Sequence, residues 1–92
     1  MPDIDIQHPT LADRGHVRAA IERVAERLSG EFGLQCEWRD ADTLGFERDG
    51  VQGDIKLAAD HVHVTAALGF PYSLMKGMIE SEIRRVLADK LG

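Results

Sequence analysis

Residues 34–70 alternate between apolar and polar side chains along four short segments that are separated by turn residues. Because successive side chains of a β-strand point to opposite sides, this period of two predicts four strands with a shared apolar face. A sheet with one apolar and one polar face is typical of antiparallel strands with one side in water. The predicted inward-facing residues are Leu34, Cys36, Trp38, Leu44, Phe46, Val51, Gly53, Ile55, Leu57, Ala59, Val62, Val64, Ala66 and Leu68.

Two amphipathic segments flank the strands, and they would cover that apolar face. The first is predicted as a helix from about residue 11 to about residue 29, with Thr10 as its N-cap. The second is predicted as a helix from about residue 72 to about residue 90. Gly77 lies inside the second helix, where it costs about 1 kcal/mol relative to alanine. We expect Gly77 to mark a close approach of that helix to the sheet.

The N-terminal region can add one further strand. Residues 3–7 alternate in the same way, and His8-Pro9 would end that strand because proline restricts the residue before it. The predicted fold class is therefore α+β. It is a two-layer sandwich in which an antiparallel four-stranded meander, with or without this short edge strand, carries both helices on one face. The element order is β-α-β-β-β-β-α.

Turn residues predict how the strands pair. Asp49-Gly50 is typical of a two-residue type I′ turn. That turn would pair Phe46 with Gly53 and place an aromatic ring over bare backbone. A three-residue loop at 40–42 and an even-length loop near Asp60 would keep the apolar face continuous across the other strands.

Length and composition limit the classes of protein to which the chain could belong. Its 92 residues predict a single domain, 1–92, with a formal net charge of -5. No basic stripe is dense enough to follow a phosphate backbone, and no apolar run is long enough to span a bilayer. Met1-Pro2-Asp3 lacks the basic and apolar regions of a signal peptide, and the single cysteine, Cys36, fits a reducing compartment. We therefore expect a cytoplasmic protein.

His61-Val62-His63 is the pattern that comes nearest to a metal site, because residues i and i+2 of a strand point the same way. A closed zinc site needs two further ligands. Asp54 lies on the predicted neighbouring strand and shares a face with His63, whereas Cys36 lies on the opposite, apolar face. We therefore predict no metal and no cofactor, and we expect both histidines to be solvated.

Cys36 is the candidate for a nucleophile, but its position between Leu34 and Trp38 indicates packing rather than catalysis. The glycines of the strand region fall in hairpins and not before a helix, so no phosphate-binding loop is predicted. The sequence contains no convincing catalytic constellation, and we expect a protein that is not an enzyme.

The junction between the last strand and the second helix is the candidate contact surface. Phe70, Tyr72, Leu74 and Met75 lie there on nearly consecutive residues, which one helix stripe or strand face cannot fully bury. We expect Trp38 to lie nearby. A packed corner of the core is the alternative. Between helix and sheet, the residues that would line the end of an apolar cleft are Trp38, Phe46, Phe70, Tyr72, Met75 and Met78.

Five stretches of the chain form a combination that covers nearly its whole length. They are Phe32-Gly33-Leu34, Glu37-Trp38, the run from Phe46 to Gly53, Leu68-Gly69-Phe70 and the run from Lys76 to Ile83. Together they resemble the polyhydroxyalkanoic acid system family, small bacterial proteins associated with polyhydroxyalkanoate granule genes.

The resemblance implies a bacterial cytoplasmic protein whose partner is a storage-polyester granule or a granule-associated protein, and it implies no catalytic residues. Three functions stay open on this basis: a non-enzymatic accessory protein, a carrier of a small apolar hydroxyacyl group, and a hydrolase or isomerase of hydroxyacyl thioesters. A homodimer is open as well. A well-packed interior would favour the first function, and a cavity ending near Trp38 and Tyr72 would favour the second.

Overall fold

The computed structural model describes residues 3–91, and the element order is the predicted β-α-β-β-β-β-α. Met1 and Pro2, considered above for a signal peptide, lie outside the described residues. The elements are β1 (Ile4–Pro9), α1 (Arg14–Phe32), β2 (Gln35–Trp38), β3 (Thr43–Arg48), β4 (Val51–Leu57), β5 (His61–Leu68), a 3-10 turn (Tyr72–Met75) and α2 (Lys76–Leu91). The α+β fold and the N-terminal edge strand are thus confirmed.

The five strands form one antiparallel sheet in the order β1-β5-β4-β3-β2. Strands β2 to β5 are a meander, and β1 adds to the far side of β5. The pairings predicted from the turns are present, with Phe46 opposite Gly53 and Leu44 opposite both Trp38 and Ile55. The edges of the sheet are therefore β1 and β2.

Both helices cover one face of the sheet, as predicted, and a single apolar core fills the space between the layers. Its largest fully buried side chains include Phe46, Ile21, Leu28 and Leu87. Complete burial of such a side chain contributes about 1.5–3 kcal/mol. The other sheet face is polar and open to solvent, because the side chains of the strands alternate between the two faces.

Helix α1 starts and ends three residues later than predicted, and Thr10 is not its cap. Asp13 is the N-cap, and its side chain accepts a hydrogen bond from the backbone N–H of His16 at 2.9 Å. Leu11 lies outside the helix and is 96% exposed. The reason is that β1 does not stop at His8-Pro9. Pro9 still pairs with His61 at this edge, where a missing N–H is tolerated.

Two predictions about glycines are wrong in their details. Gly50 has a φ of 89° but Asp49 does not have a positive φ, so the turn has the φ signs of type II rather than type I′. Gly77 faces solvent, and a Cβ built on it would meet nothing within 4 Å, so it marks no close approach to the sheet.

Ala59 also departs from its predicted place on the apolar face, because it is exposed in the turn before β5.

Candidate functional site

Three large apolar side chains are exposed around the start of α2. Phe70 is 79% exposed, Leu74 is 77% exposed and Met78 is 64% exposed. Phe70 lies just before the 3-10 turn, Leu74 lies in that turn and Met78 lies in the first turn of α2, so all three belong to one short stretch of the chain. We call Phe70, Leu74 and Met78 the junction patch. Exposed apolar side chains that cluster in this way are typical of contact surfaces, whereas single ones are not.

The base of the junction patch is tied to the core. Tyr72 and Met75 are partly buried and pack against the core cluster. The N–H of Gly69 donates to the carbonyl oxygen of Gly50 at 2.5 Å, which joins the end of β5 to the β3–β4 turn. The predicted contact residues therefore divide into exposed ones, Phe70 and Leu74, and packed ones, Tyr72 and Met75.

Trp38 is not brought to the junction. Trp38 pairs with Leu44 of β3. Arg48 ends β3 beside the Asp49-Gly50 turn, and Leu44 lies four residues before it. Four residues correspond to about 13 Å along a strand. Arg18 of α1 covers the indole ring, with its guanidinium carbon 3.8 Å from the ring centroid. A cleft lined jointly by Trp38 and Tyr72 is therefore absent from the described residues, and Phe46, another predicted cleft residue, is completely buried.

A large opening lies instead between α1 and the edge strand β2, and we call it the β2 groove. It has a volume of about 970 Å³ and is open to solvent. Its lining includes Glu22, Ala25, Glu26, Gly30, Cys36 and Trp38. Sequence reasoning assigned the strand side of this groove to the core. The small residues Ala25 and Gly30 on the helix were the signal that could have identified it.

Cys36 lies in the β2 groove, half-buried. Its thiol lies 3.7 Å from the carbonyl oxygen of Ala25, to which it donates a weak hydrogen bond. Burial raises the pKa of the Cys36 thiol, because a thiolate would lose hydration there. The group is therefore held as a neutral thiol near neutral pH, which agrees with the predicted packing role.

The two histidines of β5 each contact a different carboxylate on the open face of the sheet. The Nδ1 atom of His61 lies 2.7 Å from Asp60, and the Nε2 atom of His63 lies 2.6 Å from Asp5. The hydrogen bond from His61 lowers the pKa of Asp60. Asp54, the third ligand considered from the sequence, is paired with Arg39. Across residues 3–91, no three or more His, Cys, Asp or Glu side chains converge as metal ligands would.

A family model described as polyhydroxyalkanoic acid system protein matches residues 4–91. This chain belongs to that family. The match runs from the first residue of β1 to the last residue of α2, so it covers the whole fold, and it confirms the resemblance. A comparison with curated proteins gives no match.

For a polyhydroxyalkanoic acid system protein, the structure offers two surfaces with the character of contact sites. The junction patch is apolar and exposed, and the β2 groove is concave with a mixed lining. Helix α1 borders the groove, whereas the patch lies at the start of α2 and in the segment just before it. Neither helix, within residues 3–91, is long and apolar enough to cross a membrane.

Proposed function

We propose that this protein is a non-enzymatic accessory protein of bacterial polyhydroxyalkanoate metabolism, and that it binds the granule surface in the cytoplasm through the junction patch. The observation that carries the proposal is the exposure of Phe70, Leu74 and Met78 together in a member of this family. A storage polyester presents an apolar, ester-rich surface, which matches the chemistry of these side chains.

The energetics of the patch fit weak, reversible adsorption. Complete burial of one such side chain contributes about 1.5–3 kcal/mol. Three side chains that are partly buried against a polymer would therefore contribute a few kcal/mol, before the cost of immobilising the protein. Because Tyr72 and Met75 already anchor the junction to the core, the domain can present the patch without unfolding.

The surroundings of the reactive residues support a role without catalysis. The Cys36 thiol is kept neutral by burial, and its contact is a backbone carbonyl rather than a base. The two β5 histidines are oriented by separate carboxylates. A nucleophile needs an adjacent base or a lowered pKa to be activated, and Cys36 has the opposite shift.

Adsorption can be tested by sedimentation with protein-free particles of amorphous polyhydroxybutyrate and with purified granules. The wild type should sediment with both. In the triple variant Phe70→Ser/Leu74→Ser/Met78→Ser, the fraction of protein bound should be at least 10-fold lower than in the wild type. Leu11→Ser is the matched control, because Leu11 is an isolated leucine that is 96% exposed. Thermal midpoints should be nearly unchanged in all variants. A wild type that stays in the supernatant, or a triple variant that sediments like the wild type, contradicts the proposal.

A carrier of a hydroxyacyl group is the second candidate, and the β2 groove is the observation that favours it. Its lining includes the less polar side chains of Ala25, Cys36 and Trp38. Under this function, a medium-chain 3-hydroxyacyl thioester should change the fluorescence of Trp38 saturably and protect Cys36 from alkylation. Turnover of the thioester would instead contradict the non-enzymatic assignment.

A further inference from the structure

The outer side of β2 presents free backbone hydrogen-bonding groups. The N–H of Arg39 donates to the carbonyl oxygen of Thr43 at 2.8 Å, so these residues are a hydrogen-bonded pair of the β2–β3 ladder. Bonded and non-bonded pairs alternate along antiparallel strands. The backbone groups of Cys36 and Trp38 therefore point away from β3. Within residues 3–91, no strand pairs with this side of β2.

Leu34 supports this alternation independently. It has the same parity as Cys36 and Trp38, and its N–H points away from β3 to reach the carbonyl oxygen of Leu28 in α1 at 3.3 Å. A helix contacts each edge of the sheet, α2 at β1 and α1 at β2, but β1 also ends at Pro9, which has no N–H to offer a further strand. Edge strands are usually blocked in such ways, and β2 is the edge with an adjoining groove.

The β2 groove has room for side chains next to this edge. Its volume is about 970 Å³. Gly30 lies on the α1 side of the groove, and a Cβ built on it would meet nothing within 4 Å. Cys36 and Trp38 point toward the groove side of the sheet, and Glu37 between them is exposed on the other face. An added strand would therefore place alternate side chains into the groove and beside Glu37.

The charges around the groove are acidic. Glu22 and Glu26 line it, and Glu37 lies beside it with its side chain on the other face of the sheet. No lysine or arginine is among the residues that line the groove in the described chain. Arg23 pairs with Glu26, and Arg18 covers Trp38 at one end. Arg39 lies on the same face as Glu37, over Gly45, and it pairs with Asp54. Within residues 3–91, Glu22 and Glu37 are the carboxylates around the groove that form no ion pair. The complementary ligand has basic side chains as well as apolar ones.

We propose that β2 is a strand-addition site for an extended segment of a partner protein in which apolar and basic residues alternate. Apolar side chains opposite Cys36 and Trp38 enter the groove, and a basic side chain lies opposite Glu37. The backbone of the segment bonds to the free groups of Cys36 and Trp38. A second copy fits less well, because a two-fold pairing of Cys36 with Trp38 places Glu37 opposite Glu37.

Trp38 is the reporter for the test, since it is the only tryptophan among the 92 residues. The probe is a capped hexapeptide of alternating lysine and valine, titrated into the intact protein at low and moderate salt. Trp38 emission should change saturably. The corresponding glutamate–valine peptide should bind at least 10-fold more weakly. Equal binding of the two peptides, or no saturable change with the lysine peptide, overturns the proposal.

Matched variants locate the binding. Gly30→Arg places a long basic side chain in the groove, and Gly77→Arg makes the same change at another exposed helical glycine. Gly30→Arg and Glu37→Lys should each lower the affinity for the lysine–valine peptide at least 10-fold, whereas Gly77→Arg should bind the peptide like the wild type. Circular dichroism should show that all three variants are folded. Unchanged binding in Gly30→Arg and Glu37→Lys contradicts the proposal. So does a stable dimer that Gly30→Arg dissociates, or a Trp38 response to a 3-hydroxyacyl thioester with none to the peptide.

Discussion

The ring of Phe46 lies over the backbone of its cross-strand partner Gly53, and it leaves no space there for a side chain. A Cβ built on Gly53 would lie 2.5 Å from Cζ of Phe46 and 2.5 Å from the carbonyl oxygen of Thr65. The ring takes the place of the missing side chain and covers exposed backbone. This pair therefore fixes both the register of β3 with β4 and the packing at the centre of the sheet.

Substitution of Gly53 should destabilise the fold by overpacking. We expect Gly53→Ala and Gly53→Val each to lower the free energy of unfolding by roughly 1–3 kcal/mol, with valine the more severe change. Gly45→Ala is the matched control on the neighbouring strand, because the atoms it would meet belong to the flexible end of Arg39. Urea denaturation measures both. A Gly53→Ala midpoint equal to that of Gly45→Ala would mean that the Phe46 ring does not occupy this position.

The exposed helical glycines should have the opposite effect. A Cβ on Gly30 or on Gly77 would meet nothing within 4 Å. We therefore expect Gly30→Ala and Gly77→Ala each to raise the free energy of unfolding by about 0.5–1 kcal/mol, since alanine is the better helix former. Gly33→Ala is the control, because Gly33 ends α1 with a φ of 69°, which alanine adopts poorly. The free energy of unfolding of this variant should therefore fall instead. Thermal melts that rank the three variants differently would contradict this assignment.

The thiol of Cys36 should react slowly with alkylating agents. Only the thiolate reacts, and burial raises the pKa of Cys36, so the reactive fraction near neutral pH is smaller than in a free cysteine. The rate with iodoacetamide should rise at a higher pH in the folded protein than in a short cysteine peptide or in the urea-unfolded chain. Equal rates for the folded and unfolded protein at every pH would show that the groove does not shield Cys36.

Zinc should bind weakly, because the β5 histidines lack enough convergent partners. His61 and His63 have ring centroids 6.3 Å apart, and each is held by its own carboxylate. Calorimetric titration should show no stoichiometric submicromolar site. The His61→Ala/His63→Ala variant is the control: tight binding in the wild type that disappears in this variant would refute the prediction.

The strands and their pairing followed from the sequence because period-two alternation and turn lengths act locally. The Asp49-Gly50 turn alone placed Phe46 opposite Gly53. The start of α1 did not follow, because Pro9 could remain in a strand once β5 lay beside it, and that pairing is a long-range contact. The distance between Trp38 and Tyr72 was also hidden, since alternation gives the face of a residue but not which end of the sheet it occupies.

The site was only partly predictable for a related reason. Apolar residues at the junction were visible in the sequence, but the division into exposed Phe70 and packed Tyr72 depends on the fold around the β3–β4 turn. The β2 groove was not predicted, because its two walls come from α1 and β2 and their separation is a property of packing, which the small residues Ala25 and Gly30 only indicate.

The two helices border opposite edges of the sheet, with α1 against β2 and α2 against β1. The junction patch lies at the start of α2 and just before it, and the β2 groove lies beside α1, so the two surfaces do not share a side chain. A molecule adsorbed to polymer through Met78 would therefore still display Glu37 to its surroundings. Such a molecule could act as an adaptor, recruiting one basic segment for each copy on the particle, so that the amount of recruited partner would follow the surface density of this protein.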